Sequence, residues 1–141
     1  MKGLWRAFTQ NTAETHAHHP DPRLRGRTYA IPFESVWTAA VTIANGKIRG
    51  WRLVEADDER GVIMAESLTL VFRWVDDVRI HVVLDENAQT RVDLRSASRV
   101  GHMDLGRNPR TIRRFLKRLD AQLGATASQI LDPTRVPDWS L

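Results

Sequence analysis

The chain has 141 residues, 42% of them hydrophobic and 27% charged, the length and balance of one globular domain rather than of a disordered or fibrous chain. It contains no cysteine, which excludes disulfides, thiolate metal sites and cysteine nucleophiles. Lys and Arg number 21 against 17 Asp and Glu; this net charge of +4 is modest for the length, so nucleic acid is not the expected partner.

Residues 1–25 are polar, with Pro20 and Pro22 in an HPDPR stretch, and read as a loosely ordered leader. Leu4, Trp5 and Phe8 are not followed by the apolar core of about 7–15 residues that a secretory signal needs, so the chain reads as cytoplasmic. A single domain is expected over 26–124. Arg27 to Ile31 looks like a strand ended by Pro32. From Phe33, Val36, Ala40, Ile43 and Ala44 recur as a helical stripe, which Asn45-Gly46 can stop.

Trp51 to Ala56 reads as a strand, and Asp57 to Gly61 as a turn. Val62 to Trp74 is long for one strand; its even positions are apolar except Glu66, and a bulge or a break near Glu66-Ser67 would explain the exception. Asp76-Asp77 reads as the next turn. Val78, Ile80, Val82 and Leu84, then Val92, Leu94, Ser96, Ser98 and Val100, keep the even parity of one covered sheet face. In the simplest hairpin register His81 lies near Asp93 and Arg79 near Arg95.

The clearest element comes last. Asn108 is suited to cap a helix and Pro109 to open it. Ile112, Phe115, Leu116, Leu119 and Leu123 form one apolar stripe, and Gly124 supplies the stop. Residues 125–141 read as an extended tail in which Ile130, Leu131 and Trp139 pack on the body. The expected architecture is α+β: a two-layer sandwich with a mostly antiparallel sheet of about five strands packed on two helices, in the order β-α-β-β-β-β-α.

The stretches FRWVDDVRI and VDLRSASRVGHMDLGRNPRTIRRFLKRL carry a pattern, RSxSRxGxxDxGxN, behind an aromatic-x-DD segment. Its residues are Arg95, Ser96, Ser98, Arg99, Gly101, Asp104, Gly106 and Asn108, with Asp76 and Asp77 upstream. Over about residues 28–123 this resembles the bacterial family catalogued as domain of unknown function 1499. The resemblance implies a helix-grip-like order, in which a sheet wraps a long C-terminal helix, but no activity and no cofactor. Members are often described as exported or membrane-attached, which the start of this chain does not match.

Candidate chemistry centres on GHMDLGRNPRTIRR. Unpaired N–H groups at a helix start, with Arg107, Arg110, Arg113 and Arg114, would attract a phosphate or carboxylate. The structural alternative is that Asp76, Asp77 and Asp104 answer those arginines, a salt-bridge lattice tying the last strand to the last helix. A second candidate is the odd-numbered sheet face with Arg73, Arg79, His81, Arg91, Asp93, Arg95 and Arg99. His16, His18 and His19 sit beside Asp21 in the leader without the rigid support of a metal site, and no metal is expected. Adjacent Asp76 and Asp77 point to opposite faces of an extended chain and make no acid–base dyad.

No nucleotide-binding, zincin or nucleophile-elbow motif is present. The sequence therefore reads first as a non-enzymatic module binding a small ligand or a protein partner. The second reading is an enzyme acting on an anionic substrate near Arg95, Arg99, Asp104 and the helix start. The third is a binder of nucleic acid or an anionic membrane through the basic sheet face.

Overall fold

The computed structural model describes residues 12–70, 72–99 and 106–134. Its elements run β1 (Thr12–Glu14), β2 (Arg27–Tyr29), α1 (Phe33–Thr42), β3 (Trp51–Asp57), β4 (Val62–Leu68), β5 (Val75–Leu84), β6 (Thr90–Ser98), α2 (Arg107–Leu123) and β7 (Ile130–Leu131). The strands form one sheet in the order β3-β4-β5-β6-β2-β7, with β1 also paired to β6. Every pairing is antiparallel. The fold is α+β, with seven strands rather than about five.

The additional strands come from stretches read as leader and tail. β6 is nine residues long, and the edge it turns away from β5 is filled in two pieces. Its residues 95–97 pair with β1 and its residues 90–92 with β2. Tyr29 of β2 in turn pairs with Ile130 of β7. β1 and β7, three and two residues long, are too short to show a readable period.

The β5–β6 hairpin has the expected register, with His81 opposite Asp93 and Arg79 opposite Arg95. Its turn is tied by the Asp85 carboxylate, which accepts from the backbone N–H groups of Asn87 and Gln89, each at 2.9 Å. Asp76 and Asp77 do not form a turn: both lie in β5, paired with Ser67 and Glu66 of β4. The reversal falls earlier, where Thr69 and Trp74 close a loop by N–H to carbonyl and N–H to hydroxyl bonds of 2.8 Å each.

The face of β4 also differs from expectation. Ile63 and Ala65 are buried, while Val62 and Met64 lie on the outer side. Four consecutive apolar residues leave alternation uninformative, and the pairing of Ile63 with Ile80 and Ala65 with Val78 decides the matter. Glu66 then faces outward without any bulge in β4. The bulge lies in β3, between Leu53 and Glu55. The turn joining these strands packs its Gly61, at φ +68°, so tightly on β5 that a Cβ would lie 2.2 Å from the Val82 carbonyl oxygen.

The inner face of β5 and β6 contributes Val78, Ile80, Val82, Val92 and Leu94 to the core. The α2 stripe of Ile112, Phe115, Leu116 and Leu119 is fully buried against them, each side chain contributing about 1.5–3 kcal/mol by leaving water. Phe115 stacks on Trp51 with ring centroids 5.3 Å apart, fixing α2 against the start of β3. α1 packs beside α2, with Ala39 and Ala40 buried in the same core. It unwinds at Gly46, where φ reaches +103°, as the Asn-Gly pair predicts. These side chains form one hydrophobic cluster filling the space between helix and sheet.

α2 does not begin as expected. Gly106, at φ +80°, takes the cap position, and Asn108 lies inside the first turn with its side chain buried. The stop at Gly124, φ +60°, is as predicted. No helix among the described residues is long and apolar enough to cross a membrane.

Candidate functional site

The signature residues divide between the two faces of the sheet. Alternation sends Asp76, Ser96 and Ser98 inward, where the core turns polar beside the start of α2. Arg107 grips Asp76 with two bonds of 2.8 Å and donates to the Ser98 hydroxyl at 2.7 Å. The Asn108 amide donates to Ser98 at 3.1 Å, and its carbonyl oxygen accepts from the Ser96 hydroxyl at 2.7 Å. The Arg107 guanidinium also sits 5.0 Å above the centre of the Trp74 ring, a favourable placement over the aromatic face. Asp76 is 0% exposed, so these contacts replace the water it gave up on folding.

Asp77 and Arg99 lie on the other face. Arg99 donates to Asp77 at 2.6 Å and to Glu66, which also accepts from Arg52. Arg91 is held by Asp93, and Arg60 by Asp57. Arg95 stands between Arg79 on β5 and Glu14 on β1. This face thus carries several paired charges, while Arg79 and Arg95 pair with no carboxylate among the described residues; Arg73 is not on it, lying in the loop before β5 at φ +54°. The bonds from Arg52 and Arg99 hold the Glu66 carboxyl below its ordinary range. Its contribution to stability is therefore present above the unfolded glutamate value of about 4.3 and lost as pH falls through the lowered folded value. Glu66→Gln is expected to flatten the acid side of a plot of melting temperature against pH. An unchanged acid slope would remove Glu66 from that role.

Arg110 and Arg114 lie on the exposed flank of α2, across the sheet from Arg95 and Arg99. The structure therefore does not bring the candidate residues into one site. Gly101 and Asp104 lie outside the described residues. A cavity of about 490 Å³ opens between the loop after β4 and this flank. Leu70, Phe72 and Trp74 form an apolar wall, and Arg49, Arg107, Arg110 and Arg114 are among the residues that line the remainder. Phe72 stacks on Trp74 at 4.7 Å between centroids, yet remains 65% exposed.

The arginines here differ from those in the interior. Among the described residues, no carboxylate pairs with Arg49, Arg110 or Arg114. Arg110 spends its Nε–H on the Gly106 carbonyl at 3.2 Å, and its other guanidinium N–H groups have no partner among the described residues.

The chain matches the family model "protein of unknown function (DUF1499)" over residues 7–119. It belongs to this family. No curated protein matches it. Of the signature that marked the resemblance to DUF1499, Asp76, Ser96, Ser98 and Asn108 gather at the end of the core beside Arg107, and Asp77 pairs with Arg99 on the outer face.

Sequence reasoning named Arg110 and Arg114 but missed Arg49, Leu70, Phe72 and Trp74 as their neighbours. A signal existed for part of this. α2 places Arg110, Arg114 and Arg118 four residues apart, like charges that destabilise an isolated helix unless something negative faces them.

Proposed function

We propose that this DUF1499 protein is a non-enzymatic binding module whose ligand is an amphipathic anion held in the groove between α2 and the loop after β4. The observation that carries the reading is the pairing of an apolar wall with arginines that no carboxylate neutralises among the described residues. The ligand's phosphate or carboxylate faces Arg49, Arg110 and Arg114, and its apolar part lies along Leu70, Phe72 and Trp74. The ligand lies on the outside of the long helix rather than between helix and sheet, where the hydrophobic cluster already sits.

The test is a titration with decyl phosphate held below its micelle concentration, followed by calorimetry. Saturable binding is expected in the wild type, with at least a tenfold loss in Arg110→Glu/Arg114→Glu, the order of magnitude expected when charge-assisted bonds to an anion are removed. Equal affinity in the two proteins, or no binding to either, would overturn the reading.

A further inference from the structure

The groove continues along the molecule. A second depression of about 450 Å³ lies between α2 and residues 47–49, and it shares Arg49 and Arg114 with the first. Together they make one strip carrying Lys47, Arg49, Arg110, Arg114, Lys117 and Arg118. None of the six pairs with a carboxylate among the described residues. From Arg110 to Arg118 the strip follows eight residues of helix, roughly 12 Å of rise. Asp120 is the lone acidic residue of α2, and it is turned to Arg27 and Tyr29.

At one end of this strip the loop after β4 projects two large apolar side chains, Leu70 at 51% and Phe72 at 65% exposure. A row of solvent-facing cations beside an apolar tip is the arrangement by which a peripheral protein meets an anionic bilayer: headgroups attract the cations, and the tip enters the interfacial layer. A nucleic acid would also answer the charge. It would use aromatic rings as free stacking platforms, whereas Phe72 and Trp74 stack on each other.

We propose that the exposed flank of α2, residues 47–49 and the Leu70/Phe72 tip form a docking surface for an anionic phospholipid bilayer. This rests on the amphipathic-anion reading of the groove and names its source as a membrane surface. Each cation near such a surface is worth roughly a fivefold change in partitioning, and the outer sheet face, where Arg91, Arg52 and Arg99 are taken up by Asp93, Glu66 and Asp77, takes no part.

The experiment is co-sedimentation of the full chain with vesicles of phosphatidylcholine, alone and with phosphatidylglycerol added. Binding is expected only to the anionic vesicles and is released by high salt. Arg110→Glu/Arg114→Glu is expected to weaken it by roughly 25-fold or more, at fivefold per cation. Phe72→Asp is expected to weaken it as well, while Arg79→Glu, a reversal on the outer sheet face, leaves it unchanged. If decyl phosphate binds and anionic vesicles do not, the docking surface is wrong and the groove stands as a soluble-ligand site. If neither binds, both readings fall. Vesicle binding weakened as much by Arg79→Glu as by a single α2 reversal, or tighter binding to a single-stranded oligonucleotide than to vesicles, would also overturn the docking surface.

Discussion

Replacing Arg107 with methionine should destabilise the fold by about 3–5 kcal/mol, the usual cost of removing one partner of a buried ion pair. In a domain of this size that lowers the melting temperature by roughly 10 °C or more. The size of the effect follows from burial: the side chains of Arg107 and Asp76 are only 12% and 1% exposed. Without the guanidinium, the Asp76 carboxylate would remain in the interior facing Ser98 and Ser67, which can offer hydroxyls but no charge. Asp76→Ala should cost a comparable amount by the mirror argument, leaving a cation in the interior.

The double variant separates an ion pair from two independent losses. Asp76→Leu/Arg107→Met removes both charges together, so no uncompensated charge stays buried, and its destabilisation should be well below the sum of the single losses. Additive losses in urea unfolding would mean that Arg107 acts through contacts other than Asp76. Asn108→Ala probes the neighbouring bonds to Ser96 and Ser98 and should cost less, because those bonds are between neutral groups.

The same residues show what a sequence can and cannot disclose. Two adjacent aspartates look like a turn because turns use aspartate. The strand's alternation instead gives them opposite fates, Asp76 inward to Arg107 and Asp77 outward to Arg99. α2 and the β5–β6 hairpin were legible because each carries a strong period along its length. β4 was not, since Val62, Ile63, Met64 and Ala65 are apolar on both faces and only pairing with β5 selects one. The candidate groove was half legible: the like-charge spacing of α2 is in the sequence. Its apolar wall is brought there by the loop that Thr69 closes, and Arg49 by the turn after α1, which are tertiary events without local signature.

Asp120 gives the second large effect and shows how α2 comes to present an all-basic flank. Its carboxylate accepts from Arg27 at 3.0 Å through Nε and again through Nη2, and from the Tyr29 hydroxyl at 2.5 Å. Asp120→Ala strips both β2 side chains of this acceptor and should cost about 2–3 kcal/mol, the range for hydrogen bonds to a charged group. Burial, with the bond to Asp120, raises the Tyr29 pKa far above its ordinary value. The associated stability is therefore present below the unfolded tyrosine value of about 10 and is lost as pH rises beyond it. Tyr29→Phe should be less stable than wild type at neutral pH yet lose less stability on alkaline titration, and parallel alkaline slopes would refute the assignment. Because the half-buried Asp120 is turned to Arg27 and Tyr29 of β2, Asp120→Asn should leave decyl phosphate affinity unchanged while lowering the melting temperature. Arg114→Glu should do the reverse, since its side chain is exposed and pairs with no carboxylate among the described residues. Opposite responses from two residues on one helix would separate its inner, structural face from the face that meets a ligand.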